Sequence, residues 1–310
     1  METRGKAKYD GVLNIPQRQV GTYSIVHDLK RAGETVPLNT MRNNYFGQGG
    51  AQEIGYPYAT RWHRLEYERG TWMTDLPVEQ RQCDELIRGV FAGTVLVGGL
   101  GIGYAATVLA KRSGVRSVYV VEKSAEVIAL VEDAMRRNLE RPEADKIVVV
   151  HEDLFEFLKR QEIPNGRMFT HAFYDIWQLD SEHVFFDTVV PLLRLSNGVV
   201  RHRPICWNED VMRGQLLFSL SSAMRPAPPG MEEGWPTREY MATPLPEDDP
   251  GAIWRNWRAP FFQWLIAANP SDKRAQEMAA TYVRNYGMPA AEKSWQNILD
   301  AAVQRKAVTT

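Results

Sequence analysis

The sequence predicts an α/β protein built on a doubly wound, mostly parallel sheet, with an N-terminal extension and hairpin before it and a helical region after it. Three observations predict this. Between Gly93 and Trp207, short apolar β-branched runs alternate five times with segments of helical composition. Parallel neighbours need crossovers, and right-handed crossovers put helices on both faces of a sheet. The first of these runs ends in a glycine-rich turn that opens a helix, and open α/β sheets bind ligands at that edge. Composition agrees, since 310 residues with 44% apolar, 24% charged and 10% aromatic side chains are those of a globular protein.

Taken in order, residues 1–60 are rich in Gly, Asn and polar residues without a sustained period, and read as an irregular extension with at most one helix. Residues 61–75, RWHRLEYERGTWMTD, hold an Arg69-Gly70 turn between two half-alternating runs, which predicts a hairpin. Leu76 to Val90 follows as a helix with Pro77 in its first turn. TVLVG (94–98) is the first strand of the sheet, and YAATVLAKR (104–112) is a helix stopping near Gly114. VRSVYVVE (115–122) is the second strand. Ser124 caps a helix reaching about Leu139, with Ile128, Val131 and Met135 on its apolar face. KIVVV (146–150), a helix near 153–161, THAFYDIW (170–177), a helix near 181–195 and GVVRHRPICW (198–207) continue the alternation. Beyond Glu209 a helix runs to about Met224, and residues 225–250 then hold seven of the 18 prolines, which predicts a loop or lid. The last 60 residues read as helical, and Trp254, Trp257, Phe261, Phe262 and Trp264 read as the packing of a helical subdomain in preference to an aromatic substrate pocket. The expected division is 1–90, 91–207 and 208–310, the last covering the substrate.

Charge and cysteine content narrow the function. With 37 basic and 38 acidic side chains, the formal net charge of −1 offers no field for tracking phosphates, so nucleic acid is not an expected partner. Cys83 and Cys206 belong to no metal-binding or disulfide array, and none of the six histidines has ligand spacing, so no metal site is expected. The start, METRGKAKYDG, is charged and leads into no apolar segment, which predicts a cytoplasmic protein. Gly93 to Ala110 is uncharged, but its five glycines divide it into strand, turn and helix, so no membrane association is expected. There is no Gly-x-Ser-x-Gly elbow and no P-loop. Cys83 reads as a helix residue, and Arg201-His202-Arg203 as a solvated charge run.

The chemistry concentrates at strand ends. In Val-Gly-Gly-Leu-Gly-Ile-Gly (97–103), glycines let the backbone turn sharply and approach a ligand closely, while the helix that follows leaves N–H groups free. Alone the loop is ambiguous, because Gly101-Ile-Gly103-Tyr-Ala-Ala106 also satisfies a dinucleotide fingerprint. Glu122 ends the second strand, 21 residues after Gly101, where an acid accepts hydrogen bonds from ribose hydroxyls. His151-Glu152-Asp153-Leu154 ends the third strand and Tyr174-Asp175-Ile176-Trp177 the fourth, so acids after successive strands converge on one crevice.

With VLVGGLGIG, VVEKS, HEDLFEFL and FYDIW in this order and spacing, the stretch from Trp72 to Trp207 resembles the class I S-adenosylmethionine-dependent methyltransferases, whose core is Rossmann-like. Within them it looks most like the spermidine synthase branch. The resemblance implies S-adenosylmethionine as cofactor, held by Gly98, Gly99, Gly101, Gly103, Glu122, Lys123, Asp153, Leu154 and Asp175. Glu122 would hold the ribose, Asp153 and Leu154 would frame the adenine, and Asp175 would face the transferred group. The segment TWMTDLPVEQRQCDELI (71–87) matches the hairpin-to-helix entry of that branch, which makes Asp75 and Glu79 candidate substrate-binding residues. Val97 is aliphatic, as in that branch. Gly101, however, stands where spermidine synthases carry the aspartate that holds the amine of a decarboxylated cofactor, and Asp175-Ile-Trp replaces their Asp-Ser-Ser. No sixth and seventh strands are evident.

The expected activity is methyl transfer to a small amine- or carboxylate-bearing molecule, by in-line displacement at a sulfonium. Asp175 would position an amine and take its proton, with Tyr174 or Trp177 stacking on the substrate or favouring its cation. A structural hydrogen bond competes with that role for Asp175, and simple core closure competes for Trp177. Aminopropyl transfer, another alkyl transfer or cyclisation of the cofactor are alternatives in the same pocket. An NAD-dependent oxidoreductase and a non-catalytic binding module are alternatives of other classes. A homodimer is an expectation from the resemblance.

Overall fold

A computed structural model of the chain describes residues 13–37, 53–68, 70–161, 166–178, 180–226, 229–230 and 235–309. They form two compact units. One comprises residues 1–180 and 195–207, the other 181–194 and 208–310.

The first unit opens with strands β1 (Arg18–Val20), β2 (Tyr23–Lys30), β3 (Thr35–Pro37) and β4 (Glu53–Gly55), followed by β5 (Thr60–Tyr67) and β6 (Gly70–Thr74). The hairpin expected in 61–75 is β5 and β6; its Arg69 lies outside the described residues. The irregular extension expected in 1–60 is corrected in part, because its described residues hold strands β1 to β4 joined by short turns and irregular stretches, while 1–12 and 38–52 lie outside. β2 pairs antiparallel with β5 over eight residues, from Tyr23 opposite Tyr67 to Lys30 opposite Thr60, in a sheet of order β1-β2-β5-β6. Paired residues stand thirty or more positions apart along the chain, so local period does not reveal the partner. Ile25 and Leu65 are paired across this sheet and buried.

Helix α1 (Pro77–Leu86) leads to β7 (Gly93–Gly98), α2 (Tyr104–Ala110), β8 (Val115–Glu122), α3 (Ala125–Arg137), α4 (Arg141–Ala144), β9 (Ile147–His151), α5 (Leu154–Lys159), β10 (His171–Tyr174) and, later, β11 (Ile205–Cys206). Pro77 opens α1, and Ser124 Oγ accepts from the Val127 N–H at the start of α3, as expected from both residues. The five strands form a wholly parallel sheet of order β11-β10-β7-β8-β9. The order reverses beside β7, and such a switch point opens a crevice at the carboxyl ends of the strands. Val95, Leu96, Val118, Val120 and Ala172 are at most 2% exposed, as central parallel strands covered on both faces require. The last strand is shorter than the predicted 198–207: Pro204 has no N–H to give a ladder, so pairing is confined to Ile205–Cys206 and an isolated bridge between Phe169 and Val200. No further strand follows β11 among the described residues.

The second unit is helical: α6 (Glu182–Val184), a π-turn at Phe185–Val189, α7 (Val190–Leu195), α8 (Glu209–Ala223), α9 (Arg238–Ala242), α10 (Ala252–Asn256), α11 (Ala259–Ala268), α12 (Asp272–Asn285) and α13 (Pro289–Thr309). The π-turn stops just before Pro191, which cannot donate the next helical hydrogen bond. Of the proline-rich segment 225–250, residues 227–228 and 231–234 lie outside the described residues, and α9 forms within the rest. Trp257, Phe261, Phe262 and Trp264 are buried, whereas Trp254 is half-buried. Trp257 stacks on Tyr282 at 6.3 Å, and Tyr282 meets Trp295 at 4.6 Å. Buried Arg213 joins three elements: it pairs with Glu209, donates to the Val283 and Tyr286 carbonyls, and lies 4.8 Å over the Phe185 ring. No helix among the described residues is long and apolar enough to cross a membrane.

Candidate functional site

β7 delivers the chain into the turn from Gly99 to Gly103, and one of its glycines is forced by space as well as by angle. Gly99 sits at φ +91°, and a Cβ there would lie 2.5 Å from the Asp175 carbonyl oxygen. Gly101 sits at φ +51°, and a Cβ there would meet only the flexible end of the Met73 side chain. Both dihedrals are ones that L side chains avoid. Glu122 fastens the turn from β8: its Oε2 accepts from the Leu100 N–H at 2.8 Å and its Oε1 from the Ser124 N–H at 2.8 Å. A carboxylate oxygen accepts more than one hydrogen bond, so each keeps capacity for a ligand hydroxyl.

Above the turn lies a small pocket of about 50 Å³. The carboxyl ends of β7 and β10 supply Gly99–Ile102, Phe173 and Asp175; β6 and the segment after it supply Met73, Thr74 and Asp75; α1 supplies Glu79, Gln80 and Cys83. Thus Asp75, Glu79, Gly99, Gly101 and Asp175, all expected from the sequence, share one pocket. Its described lining includes three carboxylates and no Lys, Arg or His.

The remaining expected residues stand elsewhere. Gly98 is packed by Leu154 and Tyr174, and Gly103 by Leu13, Val131 and Met135. Leu154 is 4% exposed. Asp153 caps α5 through the Phe155 N–H at 2.9 Å, and its other oxygen pairs with Lys123 at 3.0 Å. Burial pushes its carboxyl up, but Lys123 and the helix N–H groups outweigh that and hold it below the usual range. Tyr174 has no exposed surface and its hydroxyl is 2.7 Å from Ser196 Oγ, so it offers the pocket nothing. Trp177 is 4% exposed and is not among the lining residues. Trp207, 5% exposed and packed on Phe173, does line the pocket.

Sequence reasoning also missed His63. Its backbone N–H donates to Asp75 Oδ1 at 2.6 Å and its Nδ1 lies 2.8 Å from Oδ2, with both side chains at most 4% exposed. The available signal was their equal standing about the hairpin, where Arg64 pairs with Thr74. Cys83 faces the pocket, but burial first and the Asp175 charge second push its thiol far up, leaving no nucleophilic thiolate. In the native protein iodoacetamide is expected to label Cys83 about a hundredfold more slowly than in the urea-unfolded chain, read by peptide mass mapping. Equal rates would contradict the buried thiol. No group of three or more His, Cys, Asp or Glu among the described residues is arranged to hold a metal ion.

No family model matches the chain, and no curated protein matches it. Solved structures do show likenesses. One is a SAM-dependent methyltransferase from Agrobacterium tumefaciens, at 18% identity and TM-score 0.33, covering 46% of this chain and 47% of that one. Another is precorrin 8w decarboxylase from Methanobacterium thermoautotrophicum, at 19% identity and TM-score 0.29, covering 39% and 57%. A third is a dimethyladenosine transferase from Plasmodium falciparum, at 14% identity and TM-score 0.28, covering 37% and 34%. In each case the match spans less than two thirds of the solved chain.

Proposed function

We propose that this chain is an S-adenosylmethionine-dependent transferase that methylates a small amine. The observation that carries the reading is the glycine turn, fastened by Glu122, opening onto a pocket whose described lining holds three acids and no base. The residues fit the cofactor: Glu122, which fastens the turn without itself lining the pocket, retains acceptor capacity for a ribose diol, and Gly99 and Gly101 line the pocket without side chains. An acid-lined pocket favours an ammonium over a carboxylate substrate by simple Coulomb attraction.

S-adenosylmethionine, when bound, supplies an electrophilic methyl carbon on a sulfonium. The chain has to hold the amine in line with it, about 3 to 3.5 Å away, and accept the proton that the ammonium must lose. Asp175, directly after β10, is the group for that proton. Asp75 and Glu79 hold the substrate cation, and Asp75 is itself fixed at both oxygens by His63. Aminopropyl transfer is disfavoured, because Gly101 has no carboxylate where the resembling spermidine synthases carry the aspartate that holds a decarboxylated cofactor's amine.

Calorimetry with S-adenosylmethionine, its demethylated product, the decarboxylated form and NAD tests this reading, with mass spectrometry following the cofactor alone and with a panel of amines. Binding of the parent compound, stable until an amine is added, is the expected result. Asp175→Asn should leave that affinity within about twofold and lower turnover by about a hundredfold. Consumption without acceptor would point to cleavage or cyclisation, preference for the decarboxylated form to aminopropyl transfer, and tight NAD binding to an oxidoreductase.

A further inference from the structure

The helical unit has a hollow of its own, about 1300 Å³ with its open mouth, in which Arg255 and Arg258 stand with Trp235, Tyr240 and Trp254. Among its described lining residues two arginines stand with one carboxylate, Asp249, and Glu182 is close enough to act on Arg258. Arg255 donates to the Tyr240 carbonyl at 2.6 Å and lies 3.5 Å over the Tyr240 ring, and Arg258 donates to Ser219 Oγ at 2.6 Å. Among the described residues neither guanidinium forms an ion pair within 4.0 Å. The hollow's carboxylate among those residues, Asp249, is turned to the Gly251 N–H at 2.7 Å.

Two more polar groups point the same way. Arg258 Nε and Trp235 Nε1 are buried and have no acceptor among the described residues. Every unmatched group is therefore a donor, and a guanidinium and an indole N–H can be satisfied only by acceptors. Burial holds the Arg258 guanidinium below its ordinary range, Glu182 draws it back, and the like charge of Arg255 lowers it further. An anion between the two would relieve that repulsion, and arginine pairs take carboxylates and phosphates in a fork of two hydrogen bonds. The rest of the wall includes Trp235 and Trp254 together with the apolar Pro236, Met241 and Leu245, which suits a flat ring.

From this we infer that the hollow is a binding site for a planar aromatic anion bearing a carboxylate or phosphate. The site draws only on the helical unit and stands or falls apart from the methyl-transfer reading.

Phenyl phosphate and benzoate are the probes, titrated into the full chain by calorimetry and by the emission of its tryptophans, with inorganic phosphate and benzyl alcohol as comparisons. Saturable binding of at least one aromatic anion is expected, with inorganic phosphate about tenfold weaker or more and benzyl alcohol without effect. Whichever anion binds more tightly identifies the headgroup. Arg258→Gln and Arg255→Gln should each weaken binding about tenfold or more. Arg255 rests on the exposed Tyr240 ring, so its variant decides the matter if near-ultraviolet circular dichroism shows that Arg258→Gln fails to fold. No saturation by about 10 mM, inorganic phosphate equal to the aromatic anions, or unchanged affinity in a folded variant would overturn the assignment.

Discussion

Gly99→Ala is expected to lower the stability of the protein by about 3 kcal/mol and to remove S-adenosylmethionine binding. The new methyl group would lie 2.5 Å from the Asp175 carbonyl oxygen, and a backbone atom between a strand and its following turn cannot swing aside as a side chain can. Strain at φ +91° adds to the clash. For a chain of this size the loss corresponds to a fall in melting temperature of about 5 °C. Gly33→Ala separates the two causes: it stands at φ +81° with nothing within 4 Å of its Cβ, so only the dihedral cost of about 1 kcal/mol should appear. If differential scanning calorimetry finds the same loss in both variants, the close approach of Asp175 to the turn is not what demands glycine.

Glu122→Ala should weaken S-adenosylmethionine binding by about 1.5 to 3 kcal/mol, or roughly ten- to 150-fold. The carboxylate does two things at once. Its oxygens already take the Leu100 and Ser124 N–H groups, and each keeps capacity for one of the ribose hydroxyls that the proposed cofactor would bring. Removing it frees the turn and deletes the ribose acceptors together. Glu122→Gln should be nearly as harmful, because its amide nitrogen would then oppose one of those two N–H donors. Isothermal calorimetry decides, and an unchanged affinity in either variant would defeat the placement of the cofactor on this turn.

Much of the parallel core was legible because its signals are local. Runs such as TVLVG and VRSVYVVE read as buried strands, Ser124 and Pro77 mark helix starts, and the glycines of 97–103 announce a turn that only they can make. The site was legible in part for the same reason: Glu122 and Asp175 follow strand ends, and strand ends of a parallel sheet share one edge. Tyr174 and Trp177 follow the same rule and nonetheless end up buried. A strand's alternation says that neighbours face opposite ways, but it does not say which way faces the pocket.

The residues alone were enough for the α/β class, the order of elements in the parallel sheet's half of the chain, and the edge at which chemistry is concentrated, since each rests on hydrophobic period, turn chemistry or the handedness of crossovers. Tertiary structure was needed for everything that depends on pairing between distant segments. The eight-residue register of β2 on β5 and the Met73 sulfur over Gly101 join positions whose separation has no periodic signature. So does the meeting of Arg255 and Arg258 with Trp235 around one hollow. Contacts of this kind are chosen by how whole surfaces fit and by which buried polar groups find partners, quantities that exist only once the chain has closed on itself.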